Sequence, residues 1–113
     1  MVAQLLYTSN DNPYNMSHLD EIREKIVEML RGFGVKRIAL FGSFVRGDLS
    51  EGSDVDILVE FSERKSLLDI VRIERELSEF IGIKADLLTE KSISPYMLDR
   101  IRSEMQVVYS AEG

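Results

Sequence analysis

The apolar residues of this 113-residue chain change their period repeatedly, and glycine marks most of the changes. Leu19, Ile22, Ile26, Met29, Leu30 and Phe33 recur at three- and four-residue spacing, which predicts an amphipathic helix ending at Gly32 or Gly34. Ser17 followed by Asp20 has the form of a capping box at its start. Residues 35–41 are short, β-branched in part and closed by Gly42, which suits a strand and a tight turn. Residues 54–61 then alternate: Val55, Ile57, Val59 and Phe61 point one way, and Asp54, Asp56, Leu58 and Glu60 the other. Ser66 and Asp69 open a second helix whose apolar side is Leu67, Ile70, Val71, Leu77, Phe80 and Ile81, stopped by Gly82. Residues 83–89 read as a third strand, Ser94-Pro95 as the cap and first residue of a last helix, and residues 106–109 as an edge strand. Helices interleaved with strands, none of them joined by a two-residue hairpin, predict an α+β (α/β-like) fold, a short mixed β-sheet flanked by helices.

At this length one domain is expected, placed at residues 17–113 behind a flexible N-terminal extension over residues 1–16. The chain carries 14 Lys and Arg against 20 Asp and Glu, a net charge of −6, which disfavours a nucleic acid bound along the surface but leaves room for a local phosphate site. With no cysteine and a single histidine, His18, read as an exposed polar residue, any metal is expected to be hard and oxygen-bound. No apolar run is long enough to span a bilayer and no signal peptide is evident, so the expected compartment is the cytoplasm.

The segment that resists a purely structural reading is residues 41–59, FGSFVRGDLSEGSDVDILV. Asp54 and Asp56 stand two apart on one strand face, with Cα atoms about 6 to 7 Å apart. Two carboxylates about 4 Å apart repel by roughly 4 kcal/mol at an effective dielectric near 20, so the pair favours a shared proton or a cation such as magnesium. On spacing alone, a pair of solvated aspartates is an equal alternative. Gly42 and Ser43 stand where a strand gives way to a helical turn, a place where backbone N–H groups and a hydroxyl meet a phosphate. Arg46 either joins that anion site or braces a neighbouring acid. The spacing excludes three other nucleotide or metal motifs. Asp48 and Leu49 stand where a Walker A loop needs Lys and Ser or Thr, Val59 and Lys65 break an EF-hand, and no dinucleotide fingerprint is present. The charges of the second helix, Arg72, Glu74, Arg75, Glu76 and Glu79, read as its solvated face.

Gly42-Ser43, ten residues, then Asp54-x-Asp56 resembles the signature of the DNA polymerase β-like nucleotidyltransferase superfamily, and the small size resembles its minimal branch. The resemblance implies a polymerase β-like fold in which Gly42 and Ser43 grip the terminal phosphates of ATP. Asp54 and Asp56 then hold two magnesium ions, and a third carboxylate completes the set. Asp86 is the candidate for it, as metal ligand or base, with simple exposure as the alternative. The resemblance further implies AMP transfer from ATP to a hydroxyl, expected to be a tyrosine, of a HEPN-type toxin, the chain being the antitoxin of a type VII toxin–antitoxin module. A masking antitoxin without catalysis, and transfer to a small molecule or to RNA, are the competing readings.

Overall fold

A computed structural model of the chain describes residues 16–47, 52 and 54–111, so the expected extension lies, Met16 aside, outside the described residues. In chain order these form α1 (Met16–Arg31), β1 (Val35–Phe41), the short α2 (Ser43–Arg46), β2 (Val55–Phe61), α3 (Leu67–Ile81), β3 (Ala85–Leu88), a 3₁₀ turn (Glu90–Ser92), α4 (Pro95–Glu104) and β4 (Gln106–Ser110). The sheet runs β3-β2-β1-β4: β1 is antiparallel to both β2 and β4, while β2 and β3 are parallel. The expected mixed sheet is therefore present, and its one parallel pair joins the strands that carry the aspartates.

The two faces of the sheet bury different residues. Val55, Ile57 and Val59 of β2 and Ile38 and Leu40 of β1 pack under α1 and α3, against Ile22, Ile26, Leu30, Ile73, Leu77 and Ile81. Full burial of each such side chain contributes about 1.5 to 3 kcal/mol. On the other face Ala39, Phe41, Leu58 and Leu88 meet Ile101, Leu98 and Met105 of α4 and its flank. The alternation read along β2 thus holds, because a strand between two packed layers must sort its side chains by parity.

Helix starts divide into those that follow the capping signal and one that does not. Ser66 accepts from the Asp69 N–H at 3.1 Å while the Asp69 carboxylate accepts from the Ser66 N–H at 3.2 Å, the expected reciprocal box. Ser94 likewise accepts from Met97 N–H, with Pro95 as first helical residue. At Ser17 the backbone departs from that signal. The chain is already helical at Met16, so Ser17 has helical rather than the extended backbone of a cap, and Asp20 pairs with Arg23 at 2.8 Å. His18 is half-buried rather than exposed.

Two further readings are corrected on α3. Leu67, Val71 and Phe80 lie on its outer side, and Ile70, Ile73, Leu77 and Ile81 face the sheet. Glu74 does not belong to the solvated face. It accepts the Leu87 N–H at 2.8 Å, one turn before Ser78 accepts the Ala85 N–H at 2.8 Å. These are the N–H groups on the open side of edge strand β3, which unpaired would be a template for another strand. α3 therefore both covers the core and closes the edge beside which the acidic residues stand.

Candidate active site

β2 and β3 lie side by side in register, with Val55 opposite Ala85, Asp56 opposite Asp86, Ile57 opposite Leu87 and Leu58 opposite Leu88. Residues directly opposite one another share a face, so the α4 side of the sheet carries two columns of side chains. Leu58 and Leu88 pack beneath α4, and Asp56 and Asp86 come next. At the rim stand Asp54 and Lys84, whose Nζ lies 3.8 Å from Asp54 Oδ2. The backbone continues the register there, Val55 N–H donating to the Lys84 carbonyl at 2.9 Å. The three aspartates expected from the sequence thus occupy adjacent positions at one corner of the sheet.

Gly42 completes the corner from the β1 side. Phe41 is the cross-strand partner of Asp56, and the next residue turns the chain into α2 at φ 77° and ψ −148°. A Cβ at Gly42 would overlap the Asp56 carboxylate, lying 3.3 Å from its Cγ. The bare glycine backbone thus faces the carboxylate directly. The Gly42 carbonyl accepts from the N–H groups of Val45 and Arg46, both at 3.1 Å, and so starts α2. Ser43 and Phe44, ahead of these, are the positions at which a helix has no internal acceptor for its N–H groups. Ser43 is half-buried, and Phe44 is a buried anchor under the ring-stacked Arg23.

Electrostatics tie the group together. Burial pushes the Asp56 carboxyl above its ordinary value of 3.8, the charges of Asp86 and then Asp54 push it further, and the Arg46 guanidinium opposes them. Arg46 is exposed at the end of α2, at a distance from which its charge acts on Asp56, the place a brace for that acid would occupy. Among the described residues no group of three acidic or imidazole side chains is arranged to hold a metal ion. An open set of carboxylates still fits magnesium, which takes one or two from the protein and completes its shell with water and phosphate oxygens. The all-oxygen donor set agrees with that ion, and the raised Asp56 pKa, due first to burial and then to the charges of Asp86 and Asp54, is in keeping with it.

The raised pKa carries a stability prediction. A carboxyl whose folded-state pKa lies above its unfolded value penalises the fold above that pKa and stops doing so as the pH falls through it. In EDTA at pH 7, Asp56→Asn is therefore expected to be as stable as the parent chain or more so. The gain is below about 1 kcal/mol because the site is half-exposed, and the corresponding rise in melting temperature is at most about 4 to 8 °C. Below about pH 4 the two proteins should melt together as the parent carboxyl protonates. A variant that melts lower than the parent at pH 7 without metal contradicts this account.

Sequence reasoning missed Lys84, although it precedes Asp86 by the same two-residue step that separates Asp54 from Asp56. Its partner strand could not be known without the register.

Comparison with known proteins agrees with the geometry. The model of the nucleotidyltransferase domain family matches residues 19–108. MJ0435 of Methanocaldococcus jannaschii, provisionally named a protein adenylyltransferase, is 51% identical over 87 residues, covering 77% of this chain and 94% of that protein. The protein adenylyltransferase MntA of Thermococcus cleftensis is 40% identical over 93 residues, covering 82% of this chain and 85% of that one. Among solved structures, the complex of tri-AMPylated Shewanella oneidensis HEPN toxin with MNT antitoxin gives a TM-score of 0.68 at 19% identity, covering 83% of this chain and 74% of that one, a likeness of fold. With a family model spanning most of its length and relatives this similar over nearly their whole extent, the chain belongs to the nucleotidyltransferase domain family.

Proposed function

We propose that this chain transfers AMP from ATP to a tyrosine hydroxyl of a HEPN-type partner protein, silencing that toxin as its antitoxin. The observation that carries the reading is the rank of Asp56 beside Asp86, with Asp54 at the rim and Gly42 pressed against the Asp56 carboxylate. Relatives named as protein adenylyltransferases support it, and so does a protein of the same fold found in complex with an AMPylated HEPN toxin.

Gly42 and Ser43 would receive the β- and γ-phosphates. Asp54, Asp56 and Asp86 are the residues that would hold magnesium, two ions in this reading. Held by these carboxylates, magnesium would supply positive charge to offset that of the reacting phosphate. The Arg46 charge opposes in part the push of burial and of the neighbouring carboxylates on Asp56. The acceptor oxygen attacks the α-phosphorus, the bond to the β-phosphate oxygen breaks, pyrophosphate leaves and the hydroxyl proton passes to Asp86. Two surface clefts, of about 640 and 600 Å³, lie elsewhere, one between α1 and β4 and one beyond the far end of β2. Neither is lined by the six candidate residues.

The test is incubation with magnesium, ATP labelled at the α-phosphate and the product of the adjacent reading frame. Label is expected on a tyrosine of that product. No label there, with the wild-type chain folded and binding it, sinks the reading.

A further inference from the structure

We propose that Lys84 is the acceptor-side cation of this site, placed to steady the negative charge that grows on a tyrosine oxygen as it attacks. The inference rests on the transfer reading above and adds a residue and a direction to it.

The direction follows from strand order. Gly42 and Ser43 lie at the end of β1, Asp54 and Asp56 on and just before β2, and Lys84 and Asp86 at and just before β3, with β2 in the middle. Adjacent strands are about 4.8 Å apart, so the glycine-serine turn and the β3 residues face each other across roughly 10 Å, over the β2 carboxylates. A displacement at phosphorus runs in line, with the entering oxygen opposite the leaving one. If the leaving pyrophosphate sits over β1, the α-phosphate lies above β2 and the acceptor comes in over β3. Two side chains of the described β3 end share that face there: Asp86, which takes the proton, and Lys84.

Lys84 suits the role by charge and by freedom. It sits at the rim with a largely exposed side chain, on a flexible stem, paired at 3.8 Å with Asp54. Were Asp54 to hold a divalent cation, that pairing would loosen and the Lys84 ammonium would be free to turn toward the entering oxygen. A tyrosine phenol, with a pKa of about 10, has far more to gain from a fixed positive charge than has an uncharged acceptor that stays protonated. Lys84 keeps its own proton throughout. The bond that forms is from phenol oxygen to α-phosphorus, the bond that breaks is from α-phosphorus to pyrophosphate, and the phenol proton goes to Asp86.

The experiment compares the full-length wild-type chain, Lys84→Met and Lys84→Arg, with the partner protein carrying either tyrosine or a ring-fluorinated tyrosine of lower pKa at the acceptor position. Lys84→Met is expected to transfer AMP about 10- to 100-fold more slowly, the scale of losing one group that stabilises transition-state charge. Lys84→Arg should keep most of the rate. Affinity for a non-hydrolysable ATP analogue with magnesium, read by calorimetry, should stay within about twofold, because the triphosphate lies on the other side of β2. Fluorination should restore much of the Lys84→Met rate and change the wild type little. Transfer by Lys84→Met within twofold of wild type overturns the proposal. So does an analogue affinity that falls as far as the rate, which would make Lys84 a triphosphate ligand, and so does a rate loss that fluorination leaves untouched. A wild-type chain that labels no partner overturns the transfer reading itself and is seen before any variant is made.

Discussion

Asp54→Ala combined with Asp56→Ala is expected to lower AMP transfer to the partner by at least about 10³-fold while leaving a folded protein that still binds it. The loss is large because these carboxylates are members of one set: Asp56 senses both Asp86 and Asp54, and no neighbouring acid among the described residues stands in register to replace them. The fold survives because neither side chain packs in the core. The apolar parity of β2 is held by Val55, Ile57 and Val59, and removing mutually repelling charges leaves stability unchanged or slightly raised. Labelled-ATP transfer measures the first effect, thermal melting and co-purification the second. The same double variant separates chemistry from masking. A folded, binding variant that no longer neutralises the partner means that transfer silences it. Retained neutralisation means that the antitoxin acts by covering its partner, and the catalytic account of neutralisation fails.

How far the site was legible in the sequence depends on whether its parts are local. Gly42-Ser43 and Asp54-x-Asp56 are local: a strand end, a turn and a two-residue step are fixed by backbone geometry, so their shared face followed from parity. Asp86 was legible only as an acid in an apolar strand. That β3 lies parallel to β2, with Asp86 opposite Asp56, is a fact of pairing between segments joined through α3, and no periodicity encodes it. Lys84 was invisible for the same reason, since its meaning comes from standing beside Asp54. Glu74 was misread because i, i+3 and i, i+4 charge patterning describes an isolated helix, whereas this carboxylate answers a strand N–H thirteen residues away. Ser17 shows the opposite limit. A capping preference of about 1 kcal/mol states where a helix can begin, not that it has not begun already. Leu67, Val71 and Phe80 were counted toward the core because apolar residues line more than one side of α3, and only the position of the sheet decides which side is buried.

Gly42→Ala is the sharper probe of how the phosphate side and the carboxylate side are joined. At φ 77° and ψ −148° the backbone is in a region that only glycine enters at low cost, so alanine destabilises the fold by about 1 to 3 kcal/mol. That cost alone tells nothing of function. Gly34 supplies the reference: its φ is also 77°, and a Cβ there meets nothing within 4 Å. Gly34→Ala should therefore lower the melting temperature and leave transfer intact. At Gly42 the added methyl occupies the place of the Asp56 carboxylate, so either the turn or Asp56 must move. A displacement of about 1 Å between phosphate seat and carboxylate is enough to cost on the order of 10²-fold in rate. The expected result is a loss of stability in both variants, larger at Gly42 because of the added overlap, with a fall in transfer of about 10²-fold confined to Gly42→Ala. Equal transfer by the two variants, at matched folded fractions, would show that the close approach of Gly42 to Asp56 is incidental to the chemistry.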